Sequence, residues 1–282
     1  MMKQTPYFRP RTLPEALQAL AASGGQILAG GTDFYPALGE RPVTKPVVDI
    51  TAISEIRGIE FLRDSIRIGG GTTWTEILAA PLPRCFDCLK QAAREIGSVQ
   101  IQNRATIAGN LCNASPAADG IPPLLALDAE VELASAAGTR RLPLAEFVLG
   151  NRRTARRPGE ILTRVTISRE FEKAASVFLK LGARRYLVIS IAMVAAVLAV
   201  DAKGRVNAAG IAVGSCSARA RRLPQLEKDL LGEVARKGLG QAVIPAHVAP
   251  LSPIDDVRST AEYRRDASLI LIQRAIEACI PS

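Results

Sequence analysis

The stretch that decides the fold is Leu28-Ala29-Gly30-Gly31-Thr32-Asp33, and a second one, Thr106-Ile107-Ala108-Gly109-Asn110-Leu111-Cys112-Asn113-Ala114-Ser115-Pro116, follows further along the chain. Both combine glycine with Thr, Asn, Ser or Asp, and both come after predicted strands. Glycine lets backbone N–H groups converge and lets another molecule approach the main chain closely. Two such segments can cradle a diphosphate without a Lys or Arg clamp.

The two segments match neither of the common nucleotide-binding loops. No G-x-G-x-x-G fingerprint occurs in the chain, and neither segment ends in the Gly-Lys-Ser or Gly-Lys-Thr of a P-loop. If the ligand is a dinucleotide, it is therefore held by a different fold. The alternative for the first segment is a tight turn between a strand and a helix.

The composition limits the classes of function. The 282 residues, 48% of them hydrophobic, suffice for two domains or one large one with a sizeable core. The formal net charge is +9, but the arginines are dispersed and aromatic residues do not interleave with them, so we expect no nucleic-acid partner. Residues 1–10 lack the apolar core of a signal peptide, and the longest apolar run, 186–200, is too short to span a bilayer. We expect a cytoplasmic protein that does not bind a membrane.

The cysteines and the single histidine argue against metal chemistry. The five cysteines are scattered, which does not suggest a disulfide framework. Cys85 and Cys88 form a C-x-x-C in a predicted helix, but the second pair that a zinc or cluster site needs is missing. His247 has no evident partner, so neither a His-based metal site nor a Ser-His-Asp triad is expected.

The hydrophobic pattern predicts a small first unit and a larger second one. In the first, about 1–53, Thr12 begins a helix with Glu15 completing a capping box, Gly24 ends it, and strands are expected at 26–29 and 47–50. The second unit, about 54–172, has predicted hairpins at 59–69 and 131–142, helices at 73–79, 85–96 and 121–127, and a strand at 161–167. The basic stretch 152–158 is expected to be a mobile loop.

A third unit follows, at 173–282, and its pattern differs. Its predicted strands lie at 177–181, 189–200 and 205–213, and its predicted helices at 220–230, 233–242 and 262–279. Three strands followed by three helices indicate a separate α+β domain.

The two glycine segments also resemble a known family, the flavin-binding medium subunits of molybdenum hydroxylases of the xanthine dehydrogenase and carbon monoxide dehydrogenase type. The resemblance continues through Gly210-Ile211-Ala212-Val213-Gly214-Ser215 and Ser252-Pro253-Ile254-Asp255-Asp256-Val257-Arg258-Ser259-Thr260-Ala261-Glu262-Tyr263-Arg264-Arg265, so it covers essentially the whole chain. It implies an α+β fold with a two-part FAD-binding domain of the vanillyl-alcohol-oxidase/PCMH type at 1–172. A C-terminal α+β domain with a three-stranded sheet and helices would follow at 173–282.

The resemblance implies which residues contact FAD. The first segment resembles the family's diphosphate-cradling loop, and the second resembles its diphosphate and ribityl contacts. The implied contacts are Leu28, Ala29, Gly30, Gly31, Thr32, Asp33, Phe34, Thr106, Gly109, Asn110, Cys112, Asn113, Asp119, Leu162 and Lys180. No catalytic residue and no metal ligand is implied.

Three of these residues have individual roles by resemblance. Asp119 would accept hydrogen bonds from sugar hydroxyls, the backbone at Leu162 would meet the flavin ring, and Lys180 would approach the pyrimidine edge of the ring. The alternatives are a helix N-cap for Asp119, a core position for Leu162 and a solvated strand end for Lys180. Three departures from the family are Ala108, where a second glycine is frequent, Asn113, near which Thr or His is common, and Ile96, where animal enzymes have Phe.

The resemblance implies a function that depends on other chains. A large subunit with a molybdenum cofactor would oxidise the substrate, a small [2Fe–2S] subunit would relay electrons, and this subunit would pass them to NAD or another acceptor. The chain itself lacks a cysteine set for a cluster. The alternatives are a free-standing FAD-dependent oxidoreductase with its own substrate site, and a scaffold that keeps the fold without flavin.

Overall fold

A computed structural model describes residues 5–280, and the first of its units is a small parallel sheet with one helix, residues 13–23, packed against it. Its elements are β1 (Tyr7–Phe8), α1 (Leu13–Ser23), β2 (Gln26–Leu28), α2 (Phe34–Leu38) and β3 (Val47–Asp49). The sheet order is β1-β3-β2, and both pairings are parallel. Thr12 accepts a hydrogen bond from the Glu15 N–H at 3.4 Å. The Glu15 carboxylate accepts from the Arg11 N–H rather than from the Thr12 N–H, so the capping box is incomplete. Gly24 ends α1 in the left-handed conformation, as expected.

The middle of the chain forms an antiparallel five-stranded sheet with helices packed on it. Its elements are β4 (Ile59–Phe61), β5 (Ser65–Gly69), α3 (Trp74–Ala79), α4 (Asp87–Glu95), α5 (Val99–Gln102), α6 (Ile107–Asn113), α7 (Ile121–Ala126), β6 (Glu130–Ser135), β7 (Gly138–Pro143), α8 (Leu144–Phe147), β8 (Val148–Gly150), β9 (Arg153–Thr154) and β10 (Ile161–Ser168). The order is β4-β5-β10-β6-β7, with a register shift in β10 between Leu162 and Arg164. Trp74 is completely buried in the core beneath it. The second glycine segment becomes α6, a helix that the sequence pattern does not predict.

The C-terminal part is an antiparallel sheet with helices on both faces. Its elements are β11 (Ala175–Leu181), β12 (Ala192–Val200), β13 (Val206–Gly214), β14 (Arg221–Arg222), α9 (Pro224–Leu230), α10 (Pro245–Val248) and α11 (Ala261–Cys279). The strands pair in chain order, so the three predicted strands are present and the two-residue β14 is added at one edge.

The central strand β12 explains why the apolar run there has no polar face. Ala192, Val194 and Ala196 belong to the core that contains α11, whereas Met193 and Ala195 belong to the core that contains α4 and α7. Successive side chains of a strand point to opposite faces, so a strand covered on both sides is continuously hydrophobic. The C-terminal sheet therefore shares one core with the helices of the middle unit.

Two local predictions in the third unit are wrong. The segment 233–242 is not a helix: Gly232 and Gly238 have φ of +82° and +97°, and only Leu239–Ala242 forms a 3₁₀ turn. The backbone of this segment pairs instead with the β12–β13 hairpin, through Val206 N–H to Glu233 O and Ala235 N–H to Gly204 O, both at 2.8–2.9 Å. The predicted helix 220–230 begins only at Pro224, since β14 precedes it.

No helix among residues 5–280 is both long and apolar enough to cross a membrane. The limits of the units at 1–53, 54–172 and 173–282 stay a prediction.

Candidate functional site

A cleft of about 590 Å³ lies where the loop after β2 meets α6 and the β8–β9 hairpin. This volume is in the range of small-molecule and cofactor sites. Its wall is formed by Gln26, Ile27, Ala29, Gly30, Gly31, Thr32, Asp33, Phe34, Ala37, Leu38, Ile50, Trp74, Ile96, Ile101, Ala105, Thr106, Ala108, Gly109, Asn110, Cys112, Asn113, Arg152, Thr154, Arg156, Ile161 and Leu162. A larger concavity, about 830 Å³, lies beside the end of α11, but it is more open and the Glu277 carboxylate in it already accepts from Gly238 and Gly240.

The loop after β2 offers a row of free backbone donors to the cleft. The N–H groups of residues 30–34 make no hydrogen bond with any part of the chain between residues 5 and 280, although the carbonyls of Gly31 and Asp33 accept from Tyr35 and Ala37. Consecutive free N–H groups form a concave site for anions. An unpaired backbone donor is costly once water is excluded, so these groups favour a bound acceptor.

The two glycines of this loop serve the chain's own packing. A Cβ on Gly30 would overlap the carbonyl oxygen of Arg104, so the loop and the segment before α6 touch backbone to backbone. Gly31 has φ of +78°, and a Cβ there would lie 3.0 Å from the Tyr35 ring. Glycine is thus required at both positions to shape the loop, whatever it binds.

The first N–H groups of α6 form hydrogen bonds within the chain and are not free to bind a ligand. Thr106 caps the helix by accepting from the Gly109 N–H at 3.1 Å. The N–H groups of Ile107 and Ala108 donate to Thr72 O and Gly70 O, both at 3.0 Å. The usual anion site at a helix N-terminus is therefore occupied by the chain itself. Residues along the side of helix α6 line the cleft, and Gly109 leaves space there because it has no side chain.

Two buried polar atoms of residues that line the cleft have no partner among the described residues. They are the Asn110 Oδ1 acceptor and the Trp74 Nε1–H donor. Both side chains crowd around Gly120, where a Cβ would lie 2.8 Å from Asn110 Oδ1. Buried polar atoms are nearly always hydrogen-bonded in folded proteins. Both atoms are inaccessible to solvent in the structure, so they are unsatisfied polar groups to which the described residues give no partner.

Most of the residues expected to contact a cofactor come together in this cleft. Those that line it are Ala29, Gly30, Gly31, Thr32, Asp33, Phe34, Thr106, Gly109, Asn110, Cys112, Asn113 and Leu162. Leu28 is a buried residue of β2, and neither Asp119 nor Lys180 is part of the wall. Ile96, the departure from the family's aromatic residue, also lines the cleft.

Asp119 and Lys180 form a buried ion pair between α6–α7 and β11. Lys180 Nζ lies 2.8 Å from Asp119 Oδ2, and the two side chains are only 6% and 9% exposed. Ser190 donates to the other oxygen of Asp119 at 2.6 Å, and Lys180 also donates to Glu95 O at 3.2 Å. Burial raises the pKa of the Asp119 carboxyl, and Lys180 and Ser190 counteract part of that effect. Asp119 is not a helix N-cap, since Gly120 holds that position, and Lys180 is not a solvated strand end.

Several residues of the wall are missing from the sequence-based set. The stretch 152–158, expected to be a mobile loop, contains β9 and places Arg152, Thr154 and Arg156 against the cleft. The basic character of Arg152 and Arg156 is visible in the sequence, but the position of all three residues depends on the pairing of β8 with β9.

Cys85, Cys88 and His247 do not form a second site. Burial raises the pKa of the Cys85 and Cys88 thiols to about 12, so both stay protonated. His247 is buried and has partners after all, accepting from the Ile244 N–H and lying 3.0 Å from Asp229 Oδ2. Among residues 5–280, no three His, Cys, Asp or Glu side chains are grouped as metal ligands.

Comparison with known proteins decides the family. Residues 2–169 match the FAD binding domain in molybdopterin dehydrogenase, and residues 178–279 match the CO dehydrogenase flavoprotein C-terminal domain. The chain belongs to the FAD-binding subunits of the molybdenum hydroxylases. The nicotinate dehydrogenase FAD-subunit of Eubacterium barkeri is 33% identical, with 94% of this chain and 93% of the relative covered. The carbon monoxide dehydrogenase medium chain of Hydrogenophaga pseudoflava is 26% identical, with 96% of each covered.

The structural comparison agrees with the family assignment. The structure of a cyanide-inactivated Cu,Mo-CO dehydrogenase superposes with a TM-score of 0.91 at 26% identity, covering 99% of both chains. The predicted fold class, a two-part FAD-binding domain followed by a C-terminal α+β domain, is thereby confirmed. The cofactor of this molybdenum-hydroxylase subunit is FAD, and the chain is an oxidoreductase subunit, both as expected. The free N–H row of residues 30–34 fits such a cofactor, which carries an anionic diphosphate.

Proposed function

We propose that the chain binds FAD in the cleft between the loop after β2 and α6 and serves as the electron-transferring subunit of a molybdenum hydroxylase. The observation that carries the placement is the run of free N–H groups at residues 30–34. Residues 30–34 all line the cleft, and unpaired main-chain donors of this kind are suited to binding the oxygens of a diphosphate. Asn110 and Trp74, which also line this cleft, each carry one buried polar atom without a partner among the described residues.

The roles of individual residues follow from this placement. The first glycine loop holds the diphosphate through its backbone, and Thr106, Gly109 and Asn113 form the facing wall toward the ribityl chain. The backbone at Leu162, at the register shift of β10, meets the ring. Lys180 would face the pyrimidine edge and Asp119 a sugar hydroxyl, and both roles stay predictions. FAD supplies the two-electron chemistry when it is bound.

The partners are inferred from what this chain lacks and from what its relatives are. The relatives are named as FAD-subunit or medium chain of dehydrogenases, which marks them as parts of larger assemblies. We infer a large subunit with the molybdenum cofactor, a small [2Fe–2S] subunit as the electron donor, and NAD or another acceptor.

A free-standing oxidoreductase has less support. The only histidine of the chain, His247, is buried against Asp229 and is not part of the cleft wall. No other acid–base pair in the described residues faces the cleft, whose one acidic residue is Asp33.

Two measurements test the proposed function. The full chain should take up one FAD and give a flavin spectrum, and a chain that stays colourless after incubation with FAD contradicts the cofactor site. When the tagged chain is purified from the organism that produces it, two other chains should copurify, and the complex should contain iron and molybdenum. In that complex the flavin should be bleached by the substrate of the large subunit. Bleaching of the isolated chain by that substrate would support the free-standing alternative instead.

A further inference from the structure

The β8–β9 hairpin holds two arginines against the cleft through contacts of its backbone. Val148 pairs with Thr154, and the Ala155 N–H donates to Phe147 O at 2.8 Å. The Arg152 N–H donates to Ala114 O, just beyond the end of α6, at 3.0 Å. Arg152 adopts φ of +53°, a conformation uncommon for a residue other than glycine. The hairpin is thus tied to the end of α6, and residues of both elements line the cleft.

Both arginines line the cleft, and their guanidinium groups retain donors that bond to none of the described residues. Arg156 is half-buried, and one of its nitrogens, Nη1, donates to Glu160 O at 3.0 Å, which fixes the direction of the side chain. Its other donors, and all those of Arg152, have no hydrogen-bond partner in the part of the chain that the structure describes. Arg153 and Arg157 belong to the same stretch but are exposed and are not part of the wall.

The charge balance of the cleft points to an anionic ligand. Its charged residues are Asp33, Arg152 and Arg156, which leaves the wall with one net positive charge. The free N–H groups at 30–34 add dipoles but no net charge. A diphosphate carries about two negative charges at neutral pH, and arginine binds phosphate oxygens through a planar fork of donors.

We propose that Arg152 and Arg156 bind the diphosphate of FAD and make the cleft discriminate FAD from a flavin without phosphate. The proposal rests on the proposed placement of FAD in this cleft. It adds a cationic clamp to a site that the sequence alone presents as neutral. Arg156 makes the larger contribution because it is half-buried and already oriented by Glu160, whereas Arg152 is exposed.

The test compares two matched pairs of substitutions in the full chain. The first variant is Arg152→Gln/Arg156→Gln, and the control is Arg153→Gln/Arg157→Gln, which removes the same charge from the same stretch. Each apoprotein is titrated with FAD and with riboflavin, and circular dichroism melting checks that each one is folded. We expect FAD affinity to fall about ten-fold or more in the first variant, the range for losing a charge-assisted hydrogen bond. Riboflavin affinity should not change.

The outcomes separate this inference from the proposed function. Equal FAD affinity in the first variant and the wild type overturns the clamp, and so does an equal loss in the control. An equal loss for FAD and riboflavin also overturns it, because the effect would not concern phosphate. If the wild-type chain binds no FAD, the placement of the cofactor itself fails. A single Arg156→Lys variant should recover part of the affinity by restoring the charge without the fork.

Discussion

Replacing Lys180 with Met should destabilise the protein strongly, because it removes one half of a buried ion pair. Met keeps a similar length but has no charge, and it leaves Asp119 with Ser190 as its remaining partner. Breaking a buried pair on one side costs about 3–5 kcal/mol. The side chains here are only 6% and 9% exposed, so we expect the free energy of unfolding near neutral pH to fall by an amount in that range.

The pH dependence of this loss has a definite sign. Burial raises the pKa of Asp119 above its ordinary value, and removing Lys180 removes an influence that lowers it. In the variant, the folded state therefore binds a proton more readily than the unfolded state does. Stability linked to such a group is greatest below the unfolded pKa of about 3.9 and decreases as the pH rises through the folded value. The deficit of Lys180→Met should be smaller near pH 5 than near neutral pH.

The assay is urea unfolding of the full chain without FAD, with a matched control in the same protein. Arg57 and Glu76 form an ion pair of the same 2.8 Å length, but their side chains are 49% and 37% exposed. Arg57→Met should therefore cost no more than about 1 kcal/mol. The double variant Lys180→Met/Asp119→Asn should recover much of the loss, since no unpaired charge remains buried.

One result would refute this reasoning. If Lys180→Met costs no more than Arg57→Met and its effect is independent of pH, then water reaches the pair and the buried geometry does not govern its energy. A double variant as unstable as the single one would show that the loss comes from packing rather than charge.

Three further predictions concern Gly109 and Gly30 of the cleft and the proposed position of Lys180 near the flavin. Gly109→Val should lower the flavin content of a folded protein because its branched side chain enters the cleft. Gly109→Ala, whose Cβ would lie 3.1 Å from Thr106 Oγ1, should retain FAD. The flavin absorbance per chain measures both outcomes. Gly30→Ala should destabilise the apoprotein by at least about 1–3 kcal/mol in thermal melting, since its Cβ would overlap the Arg104 carbonyl; an unchanged melting temperature contradicts this. In the holoprotein, Lys180→Ala should lower the flavin reduction potential by an amount on the order of tens of millivolts, measured by potentiometric titration, and an unchanged potential removes Lys180 from the ring environment.

Local patterns in the sequence were sufficient where the structure is determined by neighbours in the chain. The helix from Thr12 to Gly24 has its N-cap and its left-handed end within the segment itself. Strands β12 and β13 follow from apolar runs separated by a turn signal at Gly204. The two glycine segments converge on one cleft as the family resemblance implied.

Contacts between distant residues could not be derived in the same way. The segment 233–242 contains helix-forming residues, yet its backbone donors and acceptors are used by the β12–β13 hairpin, which no local pattern reveals. Asp119 and Lys180 are 61 positions apart, and their pairing depends on how β11 packs beside α4 and α7. The hairpin at 148–154 has a weak strand pattern, so its arginines looked like part of a mobile loop.

The glycines of the cleft show that shaping a site and binding a ligand are separable. Gly30 is required by contact with Arg104, and Gly31 by its left-handed backbone, so the donors at 30–34 are oriented by folding alone. A loop ordered before the ligand arrives spares the binding step the entropy of ordering it. Gly109, by contrast, borders the cleft, and a Cβ there would lie 3.1 Å from Thr106 Oγ1, a side-chain atom, rather than against the main chain of another segment. Gly30→Ala should therefore reduce the stability of the apoprotein and the affinity for FAD together, whereas Gly109→Val should act mainly on the affinity.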